Sequence, residues 1–171
     1  MPHESSRRLI ARYLEDAIAA ERSFEIQLRT FAKLGDQPDI QAVFDFHAHQ
    51  TRKQYERLTA RLECLGDRPS ATKGFLAHLF GMASNVAQAG QEGSENTTQH
   101  LIVAYAIEHA EVALYEALAA VAAAAGDAET ERLAREIQEQ ERATAERIWH
   151  FLPRSAREAL YSASGERGMG A

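Results

Sequence analysis

The stretch AYAIEHAEVALYEAL (104–118) has the composition of a helix throughout, yet Glu108 falls on the spacing that links Leu101, Tyr105, Val112 and Tyr115. A carboxylate among residues that should face a core either lies on a wet side of the helix or has a partner. A metal ion is the partner of most chemical consequence. Three other segments repeat the pattern. Ile10, Tyr13, Ala17, Glu21, Phe24, Leu28 and Phe31 form an apolar stripe whose single charge, Glu21, sits at its middle. A second stripe, Ile40, Val43 or Phe44, His47, Thr51, Gln54, Leu58, Leu62 and Leu65, is polar at its centre, with Gln50 alongside. The last reads Leu133, Ile137, Gln140 or Glu141, Thr144, Ile148 and Phe151, and Glu111 borders the face of Glu108 one turn on.

Glycine and proline mark out the elements that must position these residues. Gly35, Asp36 and Pro38 read as a helix stop, a new N-cap and an early-turn proline. Gly66-Asp67-Arg68-Pro69 is the next break, and 90–98 is a polar loop in which Asn96 and Gln99 match a capping box. Gly126-Asp127 forms a tight turn, and Pro153 starts a last helix. Between these breaks there is no alternating β-branched run and no Asn-Gly hairpin. Four long helices are expected near 5–34, 38–65, 97–125 and 128–151, with shorter ones near 73–89 and 154–163. The tight turns make two antiparallel hairpins, and the long 66–96 connection joins them. The expected fold is all-α, a ferritin-like four-helix bundle with one or two short extra helices. Residues 1–152 would form the bundle, and 153–171 a short C-terminal helix and a disordered tail.

At ~1.5 Å per residue each long helix extends about 40 Å, so polar centres in antiparallel helices meet at one level. Glu21, Glu108 and Glu141 would repel one another there unless a cation lay between them. Di-iron and di-manganese bundles supply one Glu from each of two helices and a Glu-x-x-His pair from each of the other two. Neither pair occurs in this chain: His47, His49 and Gln50 are followed by Arg52, and Glu141 by Thr144. Oxygen-rich ligands with an imidazole suit iron or manganese better than copper. Taken singly, a mid-helix glutamate is ordinarily solvated or salt-bridged, and His47 a hydrogen-bonded core histidine. Their shared level is what points to a metal. His49 and His109 face other directions, and Tyr105 and Tyr115 read as core aromatics.

Composition bounds the alternatives. A chain of 171 residues with 45% hydrophobic and 26% charged residues suits one globular domain rather than a disordered segment. A net charge of -6 argues against a nucleic-acid or anionic-membrane partner, since phosphate contacts need clustered Lys and Arg. The single cysteine, Cys64, rules out an internal disulfide and a four-cysteine zinc site. The polar N-terminus lacks the apolar run of a signal peptide, and the apolar tract ALAAVAAAA (117–125) is too short to span a bilayer. The alanines of that tract instead allow close helix–helix contact. A cytoplasmic location is expected.

Four segments, AERSFEIQLRTFAKL (20–34), AVFDFHAHQTRKQYERL (42–58), AIEHAEVALYEAL (106–118) and EQERATAERI (139–148), stand in order and spacing along the chain. Through them the chain resembles the YciE/YciF-like family of bacterial ferritin-like proteins over residues 9–152. The resemblance implies a ferritin-like bundle, a homodimer, a two-metal carboxylate centre and a link to stress responses. Position by position, Glu21, His47, Glu108, Glu111 and Glu141 match residues of that centre. Gln50 stands where the family commonly has a carboxylate, and Ala145 where it commonly has an aspartate. The function expected is a stress-response protein that binds one or two iron or manganese ions through these residues, oxidising ferrous iron or consuming peroxide. The alternative is a non-catalytic scaffold or partner-binding protein whose di-metal site has degenerated at Gln50 and Ala145. No residue is assigned a catalytic role.

Overall fold

The computed structural model describes residues 4–69 and 94–164. Four helices occupy them: α1 (Glu4–Leu34), α2 (Pro38–Cys64), α3 (Ser94–Ala125) and α4 (Ala128–Ser164). There is no strand among the described residues. The helix expected near 73–89 and the tail beyond 164 lie outside them. α1 pairs closely with α2, and α3 with α4, while α1 also packs on α3. α2 and α4 meet over a short stretch only, and the diagonal pairs do not approach at the backbone.

The ends of the bundle are tied by polar contacts. Gly126 adopts φ 72°, a left-handed conformation that glycine takes without a Cβ clash. This closes α3, as the Asp127 N–H donates to the Ala122 carbonyl (2.9 Å) and the Gly126 N–H to that of Ala123 (3.0 Å). Asp127 then caps α4. Its Oδ1 accepts the Thr130 N–H (3.1 Å) and its Oδ2 the Thr130 hydroxyl (2.7 Å). Arg61, in the last turn of α2, donates to Asp127 Oδ1 and Thr130 Oγ1 (2.7 Å each) and to Glu129 (2.6 Å). One half-turn of chain thus joins three helices. At the opposite end Thr97 donates to Asp36 (2.8 Å), Arg154 to Asp39 (2.6 Å), and the Thr98 and Ser155 hydroxyls bond at 2.8 Å.

These contacts explain where the sequence-based boundaries fail. Asp36 is not the N-cap of α2; Gln37 holds that position without a side-chain bond, because Asp36 faces Thr97 instead. α3 begins at Ser94, so Asn96 lies inside its first turn and the expected capping box with Gln99 does not mark the start. Pro153 starts no new helix: α4 runs through it to Ser164. A proline there frees the carbonyl of Trp149, on the exposed side of α4. Arg154 and Ser155, held by Asp39 and Thr98, keep the continuation docked on the bundle.

The stripes are buried largely as their spacing requires, with Phe44 rather than Val43 and Glu141 rather than Gln140 inside. Leu28, Phe31, Ile40, Phe44 and Leu101 belong to one half of the core, and Ile10, Leu14, Leu58, Leu62 and Leu118 to the other. Ala119 and Ala122 are fully buried where α3 and α4 run together. The Arg61–Asp127 clamp generates a stability prediction. Asp127→Ala removes both the cap and the partner of Arg61, and should lower the unfolding free energy by about 1–2 kcal/mol. Urea titration checks this, and an unchanged midpoint would show that the clamp carries no stability.

Candidate metal centre

Glu21 (α1), His47 (α2), Glu108 and Glu111 (α3) and Glu141 (α4) are each no more than 1% exposed. Small residues occupy the neighbouring turns. Ala17, Ala20, Ala48, Ala104 and Ala145 are all buried, which leaves the space at this level to long polar side chains. Glu111, expected at the border of the α3 face, lies fully within it. The buried face of α3 runs through Leu101, Ala104, Glu108, Glu111, Tyr115, Leu118 and Ala122, while Tyr105 and Val112 are only half-buried.

His47, Glu108 and Glu141 come together. Each offers one ligand-type atom, and these atoms lie within 4.8 Å of one another. His47 Nε2 is 2.6 Å from Glu108 Oε1 and 3.8 Å from Glu141 Oε2. The short contact is not a well-formed hydrogen bond, since neither Nε2 nor Oε1 has a partner of acceptable geometry. α2 and α3 are diagonal in the bundle, so this contact reaches across its axis. Glu21 and Glu111 are not within that triad. Glu21 Oε1 accepts the Tyr115 hydroxyl, and Glu141 Oε1 accepts the Gln54 amide. Both oxygens of Glu111 and of Glu108, and one each of Glu21 and Glu141, are buried without a partner.

Burial governs the protonation of every group. It raises Glu108 to about 8, partly offset by the neighbouring Glu141 carboxyl and reinforced by the Glu21 charge. Burial and the Glu141 charge push Glu21 well above the ordinary carboxylate range, against the Tyr115 hydrogen bond. Burial, then the charges of Glu21, Glu141 and Glu108, raise Glu111 likewise. Glu141 is raised by burial and by the Glu108 charge. His47 is lowered to about 4 by burial, although Glu141 pulls the other way. Near neutral pH the His47–Glu108 contact is therefore a neutral imidazole beside a protonated carboxyl rather than a salt bridge.

This donor set fits a hard divalent cation. Buried oxygens and an imidazole nitrogen lack partners, carboxylates outnumber the imidazole, and no thiolate is near. The three donor atoms lie no more than 4.8 Å apart, so small side-chain shifts would bring them onto one ion. His49 and His109 are exposed, as expected from their directions. Gln50 is half-buried and faces a groove between α2 and α4, and Ala145 is 3% exposed with no donor to offer.

One residue of the site lay outside the sequence-based set. Tyr115 was expected to be a core aromatic; it stands four residues from Glu111, and a buried hydroxyl at such a spacing needs a partner.

A bundle of two helical hairpins with carboxylates and a histidine at mid-height defines the ferritin-like class. A protein of Xanthomonas campestris has this fold, with a TM-score of 0.78 at 24% identity, over 94% of this chain and 99% of that one. The stress protein YciF of E. coli superposes with a TM-score of 0.81 at 20% identity, over 91% and 99%. A ferritin-like di-iron-carboxylate protein of Bacillus anthracis gives 0.71 at 15% identity, over 89% and 99%. Comparison with curated proteins gives no match. Within the class, residues 5–161 match the family described as a domain of unknown function, DUF892, and the chain belongs to that family.

The protonation pattern fixes how metal-free stability depends on pH. Glu108 titrates near 4.5 when unfolded and about 8 when folded, so its contribution is complete below 4.5 and is lost as pH rises to about 8. Glu21, Glu111 and Glu141 act in the same direction. His47 opposes them only between about 4 and 6.5. Urea unfolding in chelator should therefore show lower stability at about pH 8 than at about pH 5, with a smaller difference in Glu111→Gln. A profile that is flat or rises with pH would contradict this assignment.

Proposed function

We propose that this protein binds iron or manganese, as one or two divalent ions, through His47, Glu108 and Glu141, with Glu21 and Glu111 as further carboxylate ligands. The observation that carries this is the convergence of an imidazole and buried oxygens from α2, α3 and α4, with buried, unpartnered oxygens of Glu21 and Glu111 outside that triad. Protons alone can neutralise such a cluster, but they leave acceptor oxygens unsatisfied. A cation satisfies them together. Bound as two ferrous ions, the metal would supply the two electrons that, with two protons, convert one hydrogen peroxide to two waters.

The chain's own residues have separate tasks in this scheme. Glu108, Glu111 and Glu141 release protons as the metal enters, so affinity rises with pH. Gln54 fixes the orientation of Glu141, and Tyr115 that of Glu21. The apolar layers on either side limit water at the centre. Consumption of an oxidant agrees with the similarity in fold to YciF, a stress protein of E. coli. The proposal includes a homodimer in the cytoplasm; no described helix is long and apolar enough to cross a membrane.

A second reading rests on Gln50 and Ala145, which add no carboxylate on α2 or α4. In it the cluster stays protonated and the protein acts as a scaffold. Metal analysis separates the two. Protein purified after growth with iron or manganese should carry about one ion per chain or more, and an excess of 100 times Kd should stabilise it by about 2.7 kcal/mol. His47→Ala and Glu108→Gln should lose both effects. Metal content near zero, with no thermal shift on adding ferrous or manganous ion under argon, would leave only the scaffold. If iron binds, peroxide added to the ferrous protein should produce ferric absorption within the mixing experiment, and its absence would remove the oxidant-consuming role.

A further inference from the structure

The seam between α2 and α4 is the loosest in the bundle. A groove of about 620 Å³ lies along it, within the 300–1,000 Å³ typical of small-molecule sites. Phe46 and Ala143 supply an apolar wall, and Gln54 and Thr144 lie at its polar side. Lys53 on α2 and Arg147 on α4 line it from opposite helices. No described carboxylate lines the groove, although the chain carries a net charge of -6. The Arg147 guanidinium stands 5.3 Å over the Phe46 ring without an ion pair, while Arg57, another lining cation, is already paired with Glu136. Gln54 is 1% exposed, and its carbonyl oxygen is buried with no partner.

We propose that this groove binds a small amphipathic organic anion, with its carboxylate between Lys53 and Arg147 and its apolar body against Phe46 and Ala143. Each feature excludes a different occupant. Free divalent cations are repelled by a lining that has cations and no carboxylate. An inorganic anion leaves the Phe46 wall unused, and a neutral apolar molecule leaves two charges without a counterpart. An organic carboxylate uses both. The groove residues are separate from the five proposed metal ligands, so the site does not depend on a bound metal. Gln54 belongs to the groove and also donates to Glu141, which gives the ligand a path to the buried carboxylates.

The test uses the full metal-free chain and octanoate as the probe, followed by calorimetry and by amide shifts in NMR. Saturable binding is expected, with shifts at Phe46, Lys53, Gln54 and Arg147. Reversing both exposed charges, Lys53→Glu with Arg147→Glu, should weaken binding by about tenfold or more, and Phe46→Ala should weaken it in a chain whose charges are intact. Circular dichroism establishes that each variant is folded. Equal binding of 1-octanol would overturn the proposal by showing an apolar patch, and equal binding of phosphate by showing a surface cation cluster. Absence of octanoate binding, or protection of the groove only in an oligomer, would equally overturn it, assigning the seam to chain–chain contact.

Discussion

Four carboxyl groups and one imidazole share a single buried level, and they cannot all be charged in the absence of a cation. Every other feature of the bundle bears on this constraint. Burial raises the carboxyls and depresses His47, so the metal-free centre is held together by protons. Those protons satisfy some lone pairs and leave others bare. The centre thus keeps buried polar groups incompletely satisfied at a cost in stability, a pattern expected of functional sites.

Such a centre requires four helices in fixed register. A slide of one turn, ~5.4 Å, would put a glutamate against phenylalanine or leucine and bring an apolar side chain to the polar level. The apolar layers oppose sliding by packing, and the end contacts oppose it by geometry. Arg61 joins the end of α2 to the start of α4 through Asp127, where three hydrogen bonds, one from Arg61 and two from Thr130, hold the carboxyl low despite its burial. Asp36, Asp39, Thr97, Thr98, Arg154 and Ser155 do the same at the other end. Because α2 and α3 do not touch at the backbone, the His47–Glu108 approach depends wholly on this framing.

The helices, the hairpin order and the buried level were legible because they rest on local rules: 3.6-residue spacing and breaks at glycine and proline. The points that escaped depend on partners distant in sequence. Asp36 is a sound N-cap by type, but Thr97, far along the chain, takes its carboxylate. Pro153 is a helix breaker by type, but α4 continues because Arg154 and Ser155 find partners on α2 and α3. Glu111 looked marginal because Tyr105 and Val112 were counted on the inner face. The face actually follows Ala104, Glu108, Glu111 and Tyr115, and alanine gives a weak periodic signal. The link between Tyr115 and Glu21 joins α3 to α1, and no spacing within either helix specifies it.

Two positions that offer the centre no carboxylate fall on one side of the molecule: Gln50 belongs to α2 and Ala145 to α4, the neighbouring helices that meet least, whereas α1 and α3 carry Glu21, Glu108 and Glu111. A carboxylate at position 50 would place a negative charge on the groove wall, beside Lys53 and near Arg147. It would pair with those cations or repel an anionic ligand. Gln50 removes that charge and keeps the hydrogen-bonding capacity. Ala145 leaves Thr144 as the polar neighbour on α4. Gln50 therefore keeps the groove lining free of acid on α2, while Ala145, buried and outside that lining, acts only on the centre, where it offers no donor.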